Sequence, residues 1–194
     1  MIRTALELLD EKGLGALSTR AIADRLGVRM NTVLWHVKTK ARMLELMADA
    51  VIGELRLTGL PPAPDERVRE LARRYRRTLL AHRDGAALVV GTYGADPNIL
   101  RFAETLVGAL LECGLGDREV AWTAWAITYF TLGLTQEEQA AGHRPLGDIL
   151  ANAVSATTHP ALHRVVAHLA PGSFDERFEF GVDAILAGRP PARR

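Results

Sequence analysis

One short segment of the chain, residues 29–36, carries side chains that can read the edges of DNA bases. Arg29 and Asn31 offer the hydrogen-bonding groups that pair with guanine and adenine in the major groove. Met30 and Leu34 can contact the methyl group of thymine. If the segment forms a helix lying in that groove, its outward residues are Arg29, Met30, Asn31, Thr32, Leu34 and Trp35. Base recognition is therefore the first chemistry that the sequence suggests.

Residues on either side of this segment suit the phosphate backbone of DNA. Lys38 and Lys40 place positive charge where the next helix begins, and free backbone N–H groups at a helix start also favour an anion. His36 is a candidate for the same phosphate, with an ordinary surface position as the alternative. Thr19 and Arg20 begin the preceding helix, and we expect them to reach a phosphate or an outer base.

The spacing of Ala23 and Gly27 is typical of a helix-turn-helix. A small residue is needed where the two helices cross, and a glycine four residues later can adopt the left-handed conformation of the tight turn. The expected inner apolar positions are Ile22, Leu26, Val28 and Val33. The Ala-x-x-x-Gly spacing alone also occurs in ordinary helical hairpins. The flanking apolar residues and the basic segment that follows favour DNA binding.

The elements that must position these residues are helices, and the whole sequence predicts an all-α fold. Apolar residues recur at helical spacing, and no alternating strand pattern or internal repeat is present. The candidate N-caps are Ser18 or Thr19, Thr39 and Ser173, and the candidate stops are Gly13 and Gly27. The expected helices cover residues 2–12, 19–26, 30–37, 40–57, 65–82, 97–113, 117–141, 160–169 and 174–187, with a loop at 142–148 and weak helical character at 148–157.

A proline-rich stretch, residues 58–65, divides the chain. It holds three prolines within four residues, which indicates a linker rather than an element. The division predicts an N-terminal helix-turn-helix DNA-binding domain over residues 1–57, including a linking helix, and a second helical domain over residues 65–190.

The composition narrows the class of protein further. The net charge is only +1 over 194 residues, so any contact with DNA must depend on local positive charge. Cys113 is the single cysteine, which excludes an intrachain disulfide and a multi-cysteine zinc site and is consistent with the cytoplasm. No apolar run is long enough to span a membrane, and charged residues interrupt the start, so no signal peptide is expected. We find no nucleophile elbow, phosphate-binding loop or metal motif, and predict neither an enzyme nor a cofactor.

Residues 17–44 resemble the DNA-binding domain of the TetR family of repressors, and the Trp-His-Val-Lys-x-Lys run is similar to its tetracycline-repressor branch. The resemblance continues over residues 79–92, 129–133 with the acidic residues that follow, and 178–188. It implies a homodimer with a four-helix interface, whose C-terminal domain dimerises and binds a small-molecule inducer. The implied partners are double-stranded operator DNA of palindromic sequence and that inducer.

The same resemblance implies the position of a ligand pocket. Its residues would be Leu71, Tyr75, Val89, Thr92, Tyr93, Thr105, Ala121, Ala124, Trp125, Thr128, Tyr129 and Glu137. The branch holds a magnesium–drug chelate partly through histidines, and here Val89 and Tyr129 stand at two such positions. Glu137 remains, but one carboxylate is a poor reason to expect Mg²⁺. We therefore expect a largely hydrophobic or aromatic ligand and no metal.

Several residues have plainer alternatives. Trp35 could instead be an aromatic residue that packs in the core or against the backbone, and the aromatic residues of the pocket could pack in the core or in a dimer interface. A pocket filled by Trp125 and Tyr129 would favour a constitutive DNA-binding protein whose C-terminal domain only dimerises. His159 and His163 are expected to be surface residues, although they are four apart. The arginine run over residues 67–77 predicts a solvated helix face with ion pairs to other helices.

Overall fold

The computed structural model describes residues 1–92, 94–141, 149, 152–169 and 173–188. Regular structure within these residues is helical, and no strand occurs among them. The helices are α1 (Ile2–Lys12), α2 (Thr19–Leu26), α3 (Met30–Val37), α4 (Lys40–Gly53), α5 (Pro64–Leu80), α6 (Gly85–Val89), α7 (Pro97–Glu112), α8 (Asp117–Ala141), α9 (Pro160–Leu169) and α10 (Phe174–Ala187). The predicted all-α fold is confirmed. The predicted loop at 142–148 lies outside the described residues.

The helix starts follow from local side-chain chemistry. The hydroxyls of Ser18 and Thr39 each accept a hydrogen bond from the backbone N–H three residues on, at 3.1 Å and 3.0 Å. Ser173 and Glu176 exchange side-chain and backbone hydrogen bonds in a capping box that begins α10. Gly27 ends α2 with φ 66° and ψ 28°, the left-handed conformation predicted for the turn.

The fourth helix is shorter than the apolar pattern predicts. It ends at Gly53 rather than near Leu57. The N–H of Leu55 donates to the carbonyl of Ile52 in a tight turn, and the Leu55 side chain is buried. The apolar residues after Gly53 therefore enter the core from a turn, which periodicity alone does not distinguish from a continuing helix.

The interior of the helix-turn-helix differs in part from the prediction. Ile22, Ala23 and Val33 are buried as expected, but Leu26 and Val28 are 37% and 40% exposed. Leu26 is the last residue of α2 and Val28 lies in the turn. Both apolar side chains therefore remain partly open to solvent at this end of the unit.

Helix α4 is the element that joins the two halves of the chain. It packs against α1 and α3 on one side and against α5, α6 and α7 on the other. Its buried residues, among them Met43, Met47 and Val51, belong to one continuous core that also holds Leu71, Leu79 and Phe178. The described core therefore continues across the predicted domain boundary, which stays a prediction.

The turn between α5 and α6 fixes α1 against the second half of the chain. His82 is buried, with Nδ1 3.1 Å from a carboxylate oxygen of Asp10 and Nε2 3.1 Å from one of Glu54. The N–H of Leu14 donates to Asp84 at 2.8 Å. These bonds hold the start of the chain and the end of α4 to the same turn.

The arginine run of α5 makes the predicted ion pairs between helices. Arg69 pairs with Asp183 and Arg73 with Glu179, so that two turns of α5 are bonded to α10. Arg76 departs from the predicted solvated face. It is buried, and it pairs with Glu138 of α8 as well as with α10. The pairing accounts for this burial, because a buried guanidinium needs charged partners.

Helices α8 and α10 meet at a glycine, which allows a stability prediction. A Cβ at Gly181 would lie 2.0 Å from the ring of Phe130, which stacks on Phe178. We expect Gly181→Ala to lower the free energy of unfolding by about 1–3 kcal/mol. Gly108→Ala is the control, since its Cβ meets nothing within 4 Å and the change to alanine in α7 should stabilise the protein by roughly 0.5–1 kcal/mol. Urea denaturation at one protein concentration measures both changes, and equal effects would contradict the packing argument.

Candidate DNA-binding surface and ligand cavity

Helix α3 is positioned as a recognition helix by its two inner valines. Val33 and Val37 are buried, and they anchor the helix on the core of the N-terminal half. Five of the residues predicted to read bases are exposed: Arg29, Met30, Asn31, Thr32 and Trp35. Leu34 is half-buried, so part of its side chain remains on the outer face. Proximity to DNA remains a prediction for each of them.

Trp35 also lies on this surface, and the sequence allows two interpretations of it, a packed aromatic residue or a DNA contact. It is 76% exposed, and its ring meets the ring of His36 edge-on, with centroids 4.9 Å apart. A tryptophan that packs in a core would be enclosed, so the core alternative is wrong for the chain as described. The ring is free to contact a partner.

The predicted phosphate contacts lie near the starts of α2 and α4. His36, Lys38 and Lys40 are exposed around the start of α4, where Thr39 caps the helix. Arg20 is exposed and Thr19 half-buried in the first turn of α2. Positive side chains and free N–H groups thus coincide at α4, which suits a phosphate oxygen.

A cavity of about 690 Å³ lies among α4 to α8. This volume is within the range that drug-sized ligands occupy. Eight of the pocket residues that the family resemblance implies line this cavity: Tyr75, Val89, Thr92, Ala121, Ala124, Trp125, Thr128 and Tyr129. Ile52 brings α4 itself to the wall, so that a ligand here would touch the helix that supports α3.

The wall of the cavity is apolar, with paired aromatic rings. Trp125 and Tyr129 stack on each other with centroids 5.1 Å apart, and Tyr75 stacks on Phe102 at 4.8 Å. None of the described lining residues is charged. Such a wall suits an uncharged ligand with a flat apolar surface.

Comparison with known proteins agrees with both parts of the chain. Residues 1–47 match the family described as bacterial regulatory proteins, tetR family, and residues 60–189 match the tetracyclin repressor-like C-terminal domain. The chain belongs to the TetR family. It is thus a DNA-binding transcriptional regulator by family, as the sequence resemblance predicted.

Three relatives of this TetR-family chain illustrate the range of the family. The tetracycline repressor protein class A from transposon 1721 of Escherichia coli is 34% identical over 191 residues, which are 97% of this chain and 88% of that protein. The structure of ActR from Streptomyces coelicolor in complex with actinorhodin has a TM-score of 0.89 at 29% identity, over 96% of this chain and 93% of that one. BioQ with its double-stranded DNA operator has a TM-score of 0.73 at 26% identity, over 96% and 93%.

Three residues carried over from the family do not line the cavity. Leu71 is fully buried, one turn before Tyr75 on α5, and packs in the core. Thr105 faces a shallow surface groove beside Pro61, and its hydroxyl donates to a carbonyl of its own helix. Glu137 is exposed and outside the wall, because one residue of helix turns it about 100° from Gln136, which does line the cavity. Tyr93 lies outside the described residues.

One wall of the cavity is not among the pocket residues that the family resemblance implies. Helix α7 contributes Ile99, Phe102, Leu106 and Val107. Ile99, Phe102 and Leu106 follow the three- and four-residue spacing of one helix face, so the signal was present in the sequence. It indicated a buried face, but it could not indicate that the face borders a cavity rather than another helix.

Two side chains of α4 bind the start of α7 beside this wall. Arg42 donates to both carboxylate oxygens of Asp96, at 2.7 Å and 2.6 Å, and to Glu45 of its own helix at 2.9 Å. The hydrogen bonds from Arg42 lower the pKa of Asp96 below its ordinary value. Asp49 is buried and accepts from the N–H groups of Asn98 and Ile99. A movement of the cavity wall at Ile99 would therefore be transmitted to α4.

Neither a metal site nor a membrane span emerges from the described residues of this TetR-family chain. They contain no group of three histidine, cysteine or carboxylate side chains that could hold an ion, and His159 and His163 are both exposed. None of the helices within the described ranges has the length and apolar character that crossing a bilayer requires.

Proposed function

We propose that this TetR-family regulator is a repressor that binds a palindromic operator as a homodimer and is released by a small, uncharged aromatic or hydrophobic inducer. The observation that carries the proposal is the position of α4. One helix supports the exposed recognition helix at one end and forms part of the cavity wall, through Ile52, further along.

The DNA-binding part of the proposal is supported by the chemistry of α3 and α4. Arg29 and Asn31 are exposed donors suited to base edges, and Lys38 and Lys40 flank a helix start suited to phosphate. BioQ, of similar fold, was solved with its operator. Because bacterial DNA lies in the cytoplasm, we propose that the protein acts there. We also propose that it acts as a regulator and has no enzymatic role.

The inducer we propose binds without a metal ion. Mg²⁺ prefers oxygen ligands, commonly carboxylates, and the described lining residues offer neither a carboxylate nor an imidazole. Val89 and Tyr129 stand where the family resemblance places histidines. The cavity therefore does not fit a magnesium–drug chelate, although several relatives are tetracycline repressors.

The homodimer is supported by apolar side chains that α8 and α10 leave uncovered. Phe180 is 77% exposed and Trp122 is 63% exposed. Large exposed aromatic side chains at neighbouring helices mark an interaction surface, and a two-fold dimer is the commonest way to cover one. Two recognition helices about 34–36 Å apart would match half-sites one DNA turn apart.

The proposed mechanism is an equilibrium between two dimer geometries. One geometry holds both α3 helices at the operator spacing, and the other, favoured by inducer, moves them apart. A coupling of about 1–3 kcal/mol between the two sites is enough for such regulation. The constitutive alternative would be favoured by a pocket that Trp125 and Tyr129 fill, but both residues lie in the wall of an open cavity.

Fluorescence anisotropy tests the proposal directly. The purified protein is titrated into labelled DNA from upstream of its own gene, with unrelated DNA as control. A panel of 9-fluorenone, flavone, anthraquinone and tetracycline with Mg²⁺ is then added. We expect specific binding that an uncharged aromatic compound releases. Release by Mg²⁺–tetracycline alone would refute the metal-free inducer, and binding that no compound disturbs would favour the constitutive protein.

A further inference from the structure

The hydroxyl of Tyr75 is a buried polar group that the described residues leave without a partner. The residue is 3% exposed, and its ring is held by stacking on Phe102 with centroids 4.8 Å apart. The structure gives the hydroxyl no hydrogen-bond partner among the described residues. Buried tyrosine hydroxyls usually find a partner, so an unpartnered one in a cavity wall indicates a missing ligand group.

The free space next to this hydroxyl belongs to the cavity, because Tyr75 lines it. Thr131 Oγ1 is the one side-chain polar atom, among the described residues, that is both fully enclosed and without a partner. The Tyr75 hydroxyl is not such an atom, although the residue as a whole is buried. Because Tyr75 lines the cavity, that is where the hydroxyl has room for a partner.

The two threonine hydroxyls that line the cavity have already used their protons. Thr92 donates to the carbonyl of Val89 at 2.7 Å, and Thr128 donates to the carbonyl of Ala124 at 2.8 Å. Each can still accept but has no further proton to give. Tyr129 and Gln136 also line the cavity, but both are exposed and can donate to water. Among the described lining residues, Tyr75 is thus the buried hydroxyl with a proton to donate, and a ligand that satisfies it must carry a hydrogen-bond acceptor.

Charge is the second constraint on the ligand. The described wall contains no lysine, arginine, histidine, aspartate or glutamate side chain. An ionised ligand would lose its hydration without gaining a counter-charge, which is strongly unfavourable. The acceptor that Tyr75 meets must then be uncharged, and a carbonyl oxygen is the strong uncharged acceptor that flat aromatic compounds commonly carry.

We propose that the cavity recognises an uncharged, flat aromatic carbonyl compound, whose carbonyl oxygen accepts a hydrogen bond from Tyr75 while its ring lies against Trp125 and Tyr129. This inference rests on the proposed function and specifies the ligand class of the same cavity. The stacked rings of Trp125 and Tyr129 present a flat apolar surface of the kind that aromatic ligands prefer.

The state of the hydroxyl is consistent with a donor. Burial raises the pKa of Tyr75 well above its ordinary value. The phenol therefore keeps its proton at every pH at which the protein would be studied.

The test compares three flat probes of nearly the same shape on the purified full chain without DNA. The probes are 9-fluorenone, fluorene, which lacks the carbonyl, and 9-fluorenone-2-carboxylate, which is ionised at pH 7.5. Equilibrium dialysis gives the dissociation constants. We expect fluorenone to bind about three- to tenfold more tightly than fluorene, and the carboxylate at least about tenfold more weakly than fluorenone.

The decisive variant is Tyr75→Phe, which keeps the ring stacked on Phe102 and removes only the hydroxyl. It should abolish the preference for fluorenone over fluorene while leaving fluorene binding within about twofold. Thr105→Val is the control, because Thr105 lies outside the cavity and its hydroxyl donates to a carbonyl of its own helix, so the preference should persist. A preference that survives in Tyr75→Phe, tightest binding of the carboxylate, or no binding of fluorenone would overturn the inference.

Failure of the proposed function gives a different result. If fluorenone binds with the expected dependence on Tyr75 but releases no operator DNA, the ligand class is supported and the inducible repressor is not. If another compound releases the operator while fluorenone and fluorene bind equally, the repressor is supported and the inference about Tyr75 is refuted.

Discussion

Replacing Trp35 by alanine is expected to weaken operator binding by about tenfold or more without lowering the unfolding temperature. The side chain is 76% exposed on α3 and touches the ring of His36 rather than the core. Its removal therefore costs the folded protein little, since surface substitutions away from buried contacts rarely change stability by more than about 0.5 kcal/mol. A DNA partner would lose the largest apolar contact that the recognition helix offers.

Two further variants separate DNA contact from general damage. Trp35→Phe keeps an aromatic ring and should retain intermediate affinity. Leu100→Ala removes an exposed apolar side chain from α7, outside the predicted DNA surface, and should leave the affinity within about twofold. Anisotropy and a thermal melt are measured for each protein. Unchanged operator affinity for Trp35→Ala would show that the tryptophan does not act at DNA, and a large fall in its melting temperature would show that it supports the fold.

The helices could be predicted because their ends depend on local chemistry. Ser18, Thr39 and Ser173 each accept a hydrogen bond from the backbone N–H three residues ahead. Gly27 adopts the left-handed conformation that a residue without a Cβ allows. Such signals extend over about one helical turn, so one sequence is enough to find them. The apolar pattern predicts too long an α4, because Leu55 is buried although it lies in a turn rather than in the helix.

The candidate sites were predictable only where a pattern fixed the face of a helix. The exposed face of α3 followed from its buried valines. The cavity wall did not, because Leu71 and Tyr75 share a helix face and yet one lies in the core and the other at the cavity. The bond between Arg42 and Asp96 joins residues 54 positions apart, and no local pattern indicates it.

Cutting that bond is expected to separate ligand binding from operator release. In Asp96→Asn the neutral amide cannot form the two-oxygen ion pair with Arg42, while an asparagine at the start of α7 remains a good N-cap. We expect operator affinity and ligand affinity each to stay within about threefold of the parent values. The coupling between them should fall by about 0.5–2 kcal/mol, because one of the two α4 side chains that bind the start of α7 loses its ion pair.

The measurement is the operator dissociation constant with and without a saturating amount of the panel compound that best releases the parent protein. The ratio of the two constants is the coupling, and Asp96→Asn should reduce it. Glu45→Gln is the matched control, since it removes the other carboxylate on Arg42 but breaks a bond within α4 only. If both variants keep the parent ratio, the other contacts between α4 and α7, those of Asp49 among them, carry the connection. If both reduce it equally, the charge state of Arg42 matters and its bond across to α7 does not.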